Sequence, residues 1–203
     1  MRLGLLGPAM DQAGALAAAA RALRERLGAE RVVYLGTDGA LDALVRTWAE
    51  ELVGANADDA NLMARATAAC LGADADGIEA FLLHERQRAE LRMFESLAGA
   101  STRSVELIAG KVAVMLYDKA DLVEDDILPA TILVFGRSRA PLIKQVGRRW
   151  FIAPGSFPEH GVLTIEDTDG ELRARRYDTQ FQVIEDVLLE APQSLKMRAL
   201  GAG

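Results

Sequence analysis

Sulfur is nearly missing from this chain: among 203 residues there is one cysteine, Cys70. A lone thiol excludes an internal disulfide and a thiolate metal cluster within one chain. Its setting in an apolar, helix-patterned stretch predicts a small buried side chain. Long hydrophobic runs are missing too. The opening "MRLGLLG" is too short for a signal-peptide core before Pro8 and Asp11, and no uncharged apolar stretch reaches the ~18 residues a membrane span needs. A cytoplasmic protein without membrane contact is expected. An excess of positive charge is the third absence. The chain carries 23 basic and 30 acidic residues, a net charge of −7, so broad binding to nucleic acid or to anionic lipid is not expected. The cations are mostly arginine, which suits ion pairs and anion forks. Neither histidine, His84 nor His160, belongs to a compact ligand motif such as His-x-His or His-Glu-x-x-His.

Half of the residues are hydrophobic, which at this length predicts one compact domain over 1–203. The apolar run ended by Gly7 and Pro8 reads as a strand. Leu16, Ala20, Leu23 and Leu27 follow on one helical face, and Gly28 closes that helix. "RVVYLG" is a second, β-branched strand, followed by a helix over 41–52; the right-handed crossover rule makes the two strands parallel. Residues 58–98 read as a helical elaboration broken near "LGADADG". Ile78, Phe81, Leu82, Ala89, Met93 and Leu97 form its apolar arc, while Leu83, Leu91 and Phe94 lie outside it and are available to a partner. "HERQRAELR" reads as its solvated side, with His84 exposed. Beyond residue 100 the pattern changes to strands: "SVELIA", "VAVMLY", "TILVF", "PLIKQV", "RWFIA", "GVLTIED", "ELRARRY" and "TQFQVIEDV". The arginines of "ELRARRY" are expected on a solvated strand face, and the terminal "LGAG" as a frayed tail. The expected class is α/β, layered: two packed sheets with helices outside.

Five of these stretches, taken in order, carry a resemblance: "LGLLGPAM", "VVYLGTD", "VAVMLYD", "ILVFGRSRAP" and "FIAPGS". The chain resembles the calcineurin-like metallophosphoesterases, in the small bacterial and archaeal branch that includes the retromer scaffold subunit. The resemblance implies a four-layer sandwich. It also sets an expectation for chemistry, because the family holds two metal ions ~3.5–4 Å apart so that a metal-bound water attacks phosphorus in line. At the positions where the family carries its ligands, this chain has Pro8 and Met10 for Asp-x-His, Thr37 for the bridging Asp, Tyr117 for a His, and Arg137 and Arg139 for the last His pair. "GANADD" offers Asn56 and Asp58 near the Gly-Asn-x-Asp element, in a shifted spacing. Gly36, Gly136, Pro141 and the Pro154-Gly155-Ser156 turn, residues that shape backbone, are retained. A guanidinium has no lone pair to give a metal and repels a dication.

The resemblance therefore implies the fold without its metals: no catalytic residue, no metal ligand and no cofactor. The expected role is a pseudoenzyme that scaffolds a protein partner or a homo-oligomer. Two other readings stay open. Arg137 and Arg139, with Ser138 and Tyr117 nearby, could fork a small anion such as a phosphorylated metabolite, unless Asp38 and Asp118 turn inward and pair with the two arginines. A rebuilt phosphoesterase site would instead recruit Asp11, Asp38, Asp58, Asp118 or His160.

Overall fold

The computed structural model describes residues 1–190, so the expectation for the terminal "LGAG" lies outside the described residues. In chain order the elements are β1 (Arg2–Leu6), α1 (Ala13–Glu25), β2 (Arg31–Tyr34), α2 (Ala40–Val53), α3 (Leu62–Gly72), α4 (Ala75–Glu90) and β3 (Phe94–Ser96). The second half holds β4 (Arg103–Ile108), β5 (Lys111–Leu116), α5 (Glu124–Ile127), β6 (Ile132–Phe135), β7 (Leu142–Val146), β8 (Arg149–Ala153), β9 (Val162–Thr168), β10 (Glu171–Tyr177) and β11 (Val183–Glu190).

The strands form two mixed sheets, β11-β10-β9-β1-β2-β3 and β4-β5-β6-β8-β7. In the first, β1, β2 and β3 are parallel, and β9 returns antiparallel to β1. In the second, β5, β6 and β8 are parallel, with β4 and β7 antiparallel at the edges. Period-2 alternation decides what meets between the sheets. Leu3 and Leu5 of β1 join Val33, Met115, Ile132, Val134 and Ile152 in one inter-sheet core. The opposite face of β1 and β2 presents Leu6, Val32 and Tyr34 to Leu16, Ala20 and Leu23 of α1, as the helical spacing predicts. The outer face of the second sheet packs Leu116, Leu133 and Phe135 under Leu122 and Ala130. Helix, sheet, sheet and a short helical cover make four layers.

The arginines of β10 depart from a solvated face, because each is spent on an acid. Arg175 reaches Glu166, whose side chain is 2% exposed and is also held by Arg2, and it shares Asp186 with Arg173, while Arg176 pairs with Glu185. The charges of β9, β10 and β11 thus pair across the strands into a ladder on a face that is only partly solvated.

The elaboration over 58–98 is corrected in three respects. It ends in a strand: residues 94–96 pair parallel with β2, because the chain must re-enter the sheet edge before it crosses to β4. The apolar arc is buried only at its C-terminal end, where Leu97 (4%) enters the inter-sheet core and Met93 is partly covered: Ile78 and Leu82 are exposed, as is Leu83, while Leu91 (5%) and Phe94 (7%), expected outside the arc, lie in the core beneath α2. The charged run is not wholly solvated either. His84 is exposed as expected, but Glu85 (9%) and Arg88 (8%) are buried. Arg65 of α3 binds Glu85 through both Nε (2.7 Å) and Nη2 (3.2 Å), and Arg88 donates to Glu85 at 2.6 Å and to Asp59 at 2.8 Å. The arginines, Arg65 first, hold the Glu85 carboxyl below its ordinary range. Ion pairs thus replace apolar packing between α3 and α4, since α3 buries no residue. Cys70, expected in a core, is exposed on that helix for the same reason.

Candidate functional site at the strand ends

The carboxyl ends of β1, β2, β5 and β6 converge, which is where layered α/β folds place ligands. Glycines permit the convergence. A Cβ on Gly7 would overlap the Gly155 carbonyl oxygen, one on Gly136 the Leu35 carbonyl oxygen, and one on Gly36 the Tyr34 ring. The β1 loop is bent hard, with Met10 (φ 49°) and Asp11 (φ 65°) both left-handed, a conformation that non-glycine residues hold only under external constraint.

Tyr34, which the sequence suggested only as a residue of the second strand, forms the floor of the site. Its side chain is fully buried. The hydroxyl accepts from the Ala9 backbone N–H at 2.8 Å and donates to Asp38 Oδ1 at 2.8 Å. Burial first, and then the Asp38 carboxylate, push the phenol well above its ordinary value. Asp38 also accepts the Ala40 N–H at 3.1 Å at the start of α2. Asp38 therefore does not pair with Arg139, one of the two pairings weighed from sequence, because the nearer phenol takes it. A signal was available: a tyrosine two residues before Gly36 has the space a side chain there would fill.

Asp118 does turn to Arg137 and forms an ion pair with it. The carboxyl is held below its ordinary range, first by the Ala120 N–H and then by Arg137. The Arg137 guanidinium is itself largely exposed, and its backbone N–H donates to the Tyr117 carbonyl at 2.6 Å. Tyr117 packs against the inter-sheet core. The Ser138 hydroxyl is spent on the Ala140 carbonyl at 2.6 Å. Arg139 is exposed, and its guanidinium has no hydrogen-bond or ion-pair partner among the described residues. It lines an open notch of about 370 Å³ with Met10, Ser156, Phe157 and His160. Of the predicted residues, the structure thus joins Asp118 to Arg137, and places Arg139 beside His160.

Asn56 and Asp58 line a separate cleft between α2 and the end of α4, which shares no residue with the notch. Asp58 is occupied by the backbone and side-chain amides of Asn61. Among the described residues, no three His, Cys, Asp or Glu side chains gather as a metal-ligating group. The donors at the strand ends do not fit a binuclear metal centre: Asp38 and Asp118 are engaged, and the two arginines cannot ligate.

No helix among the described residues is long and apolar enough to cross a membrane. No protein-family model matches the chain, and no curated protein does. Among solved structures, a Thermotoga maritima protein determined by NMR superposes with a TM-score of 0.50 at 16% identity, over 87% of this chain and 98% of that one. A double mutant of Vps29 from Entamoeba histolytica gives 0.48 at 15% identity, over 93% and 99%. A Streptococcus pneumoniae protein described as a predicted phosphoesterase gives 0.47 at 10%, over 93% and 98%. Identities this low speak to architecture and to nothing finer. With its two packed mixed sheets flanked by helices, the chain shares the architecture of the Thermotoga maritima structure.

Proposed function

We propose that this chain is a non-catalytic protein of the metallophosphoesterase-like fold that works by binding a protein partner or a second copy of itself. One observation carries the reading: the polar side chains at the strand ends bond to one another, Tyr34 to Asp38 and Asp118 to Arg137, where hydrolysis would need them to hold two cations. The resemblance to a branch that includes the retromer scaffold subunit supports the same role, and the exposed Met63, Leu71, Leu82 and Leu83 of the α3–α4 hairpin offer it apolar surface. Metal analysis after incubation with manganese, followed by hydrolysis of bis(p-nitrophenyl) phosphate, tests it. The expected result is substoichiometric metal and no turnover above buffer. Stoichiometric metal with manganese-dependent turnover overturns the proposal in favour of a rebuilt site.

A second reading is favoured by Arg139, the strand-end guanidinium with no acid partner among the described residues: the notch beside it takes a small anion without metal. Arg137 would join only by leaving Asp118. Under this reading, Arg139→Ala abolishes saturable binding of inorganic phosphate while the protein stays folded. Phosphate binding unchanged by Arg139→Ala removes it.

A further inference from the structure

The cleft that contains Asn56 and Asp58 holds about 570 Å³, within the ~300–1,000 Å³ of small-molecule sites. One wall is α2, with Val45, Arg46 and Ala49; the other is the 54–59 loop; Arg88, Leu91, Arg92 and Phe94 close it. The loop wall is preorganised. Arg65 donates to the carbonyls of both Asn56 and Asp58, and Asn56 is held left-handed at φ 60°. The floor is apolar and braced, since Trp48 meets Phe94 edge-on with centroids 5.6 Å apart.

The charges facing the cleft are mixed, so what decides its preference is which of them are already engaged. Asp42 accepts from the Ser96 hydroxyl at 2.7 Å, Asp58 from Asn61, and Asp59 gives one oxygen to Arg88 and the other to Arg92. The arginines are less satisfied. Arg88, 8% exposed, uses Nε on Glu85 and Nη1 on Asp59, leaving Nη2 without a protein partner among the described residues. Arg92 engages Asp59 through Nη2 alone, and Arg46 has no partner among the described residues. Against these donors stands one acid without a donor among the described residues, Glu50. The unused donors in the cleft belong to Arg46, Arg88 and Arg92, and a bond from a guanidinium to an arriving oxyanion is of the strong, charge-assisted kind.

We propose that this cleft binds a small molecule bearing an oxyanion, a phosphate or a carboxylate, on an aromatic or apolar body. The oxyanion lies between Arg46 on one side and Arg88 and Arg92 on the other, and the body rests on Leu91 and Phe94. This site is independent of the strand-end notch and of the reading given for it.

Titration of the full chain with phenyl phosphate, benzoate, phenol and inorganic phosphate, followed by calorimetry or amide chemical shifts, tests the proposal. Phenyl phosphate or benzoate is expected to bind saturably at one site, and whichever binds tighter identifies the headgroup. Phenol alone does not bind. Arg46→Ala weakens the preferred probe about tenfold, the size of one charge-assisted hydrogen bond; Ala49→Trp, which fills the cleft without removing a charge, abolishes binding; Arg139→Ala leaves it unchanged. Absence of saturable binding for both anionic probes overturns the proposal. So does binding that survives Ala49→Trp, or binding lost on Arg139→Ala, which would belong to the strand-end notch.

Discussion

Gly7→Ala is expected to destabilise the protein by more than about 4 kcal/mol, at the far end of what a single substitution does. The added methyl would sit well under the 3.0 Å that real Cβ atoms keep from the Gly155 carbonyl oxygen. That oxygen cannot withdraw, since it belongs to backbone that forms the turn after β8. The Gly7 N–H is moreover tied to the Gly161 carbonyl at 2.8 Å. Relief of the clash would push β1 away from the turn and open the first sheet at its centre, where β1 pairs with both β2 and β9. Overpacking in a compliant core costs ~1–3 kcal/mol; here the neighbour is fixed main chain, so the cost is larger. The same substitution at Gly14 gives the opposite sign. Nothing lies within 4 Å of a Cβ there, and within α1 alanine stabilises relative to glycine by ~0.5–1 kcal/mol. Chemical denaturation of the two variants side by side reads both; a Gly7→Ala protein as stable as the parent would refute the close-approach account.

These glycines explain why the fold was legible in the sequence and much of the site was not. Strand-end glycines, the β-branched "RVVY" and the change from helical to alternating periodicity after residue 100 are local signals, and each landed in the element expected of it. The stretch 58–98 misled because periodicity reports where apolar residues fall, not which face is covered. Ion pairs among Arg65, Glu85, Arg88 and Asp59 let α3 attach without a buried face, so Leu91 and Phe94 were free to enter the core. The three-residue β3 is too short to register as a strand pattern. At the site, replacements for metal ligands could be listed along the chain, but their partners depend on reach. Asp38 lies one residue from Gly39 and could have turned either way; the phenol of Tyr34, four residues earlier, takes it. Engagement of donors in the α2–α4 cleft is a three-dimensional property with no linear trace, so the shifted spacing of "GANADD" says nothing of the cleft that Asn56 and Asp58 line.

Tyr34 carries the second large effect, and it separates packing from chemistry. Tyr34→Ala removes a fully buried ring from between β2 and α1 and is expected to cost about 3–5 kcal/mol, the range for emptying an aromatic site. Tyr34→Phe keeps the ring and deletes the oxygen, leaving the buried Ala9 N–H without its acceptor while Asp38 Oδ1 keeps only the Ala40 N–H, at a cost of about 1–3 kcal/mol. The phenylalanine variant also makes a pH prediction. The phenol is raised above its ordinary value of ~10, so above that pH the unfolded chain releases a proton that the folded chain retains. The neutral phenol therefore contributes its full stability below pH ~10 and loses it as pH rises beyond. Denaturation midpoints measured from pH 8 to 11 should fall more steeply for the parent than for Tyr34→Phe, and the two curves should approach each other at the alkaline end. Parallel curves would mean that the Tyr34 hydroxyl titrates as freely in the folded protein as in the unfolded chain. The bond to Asp38 would then not be what occupies the floor of the strand-end site.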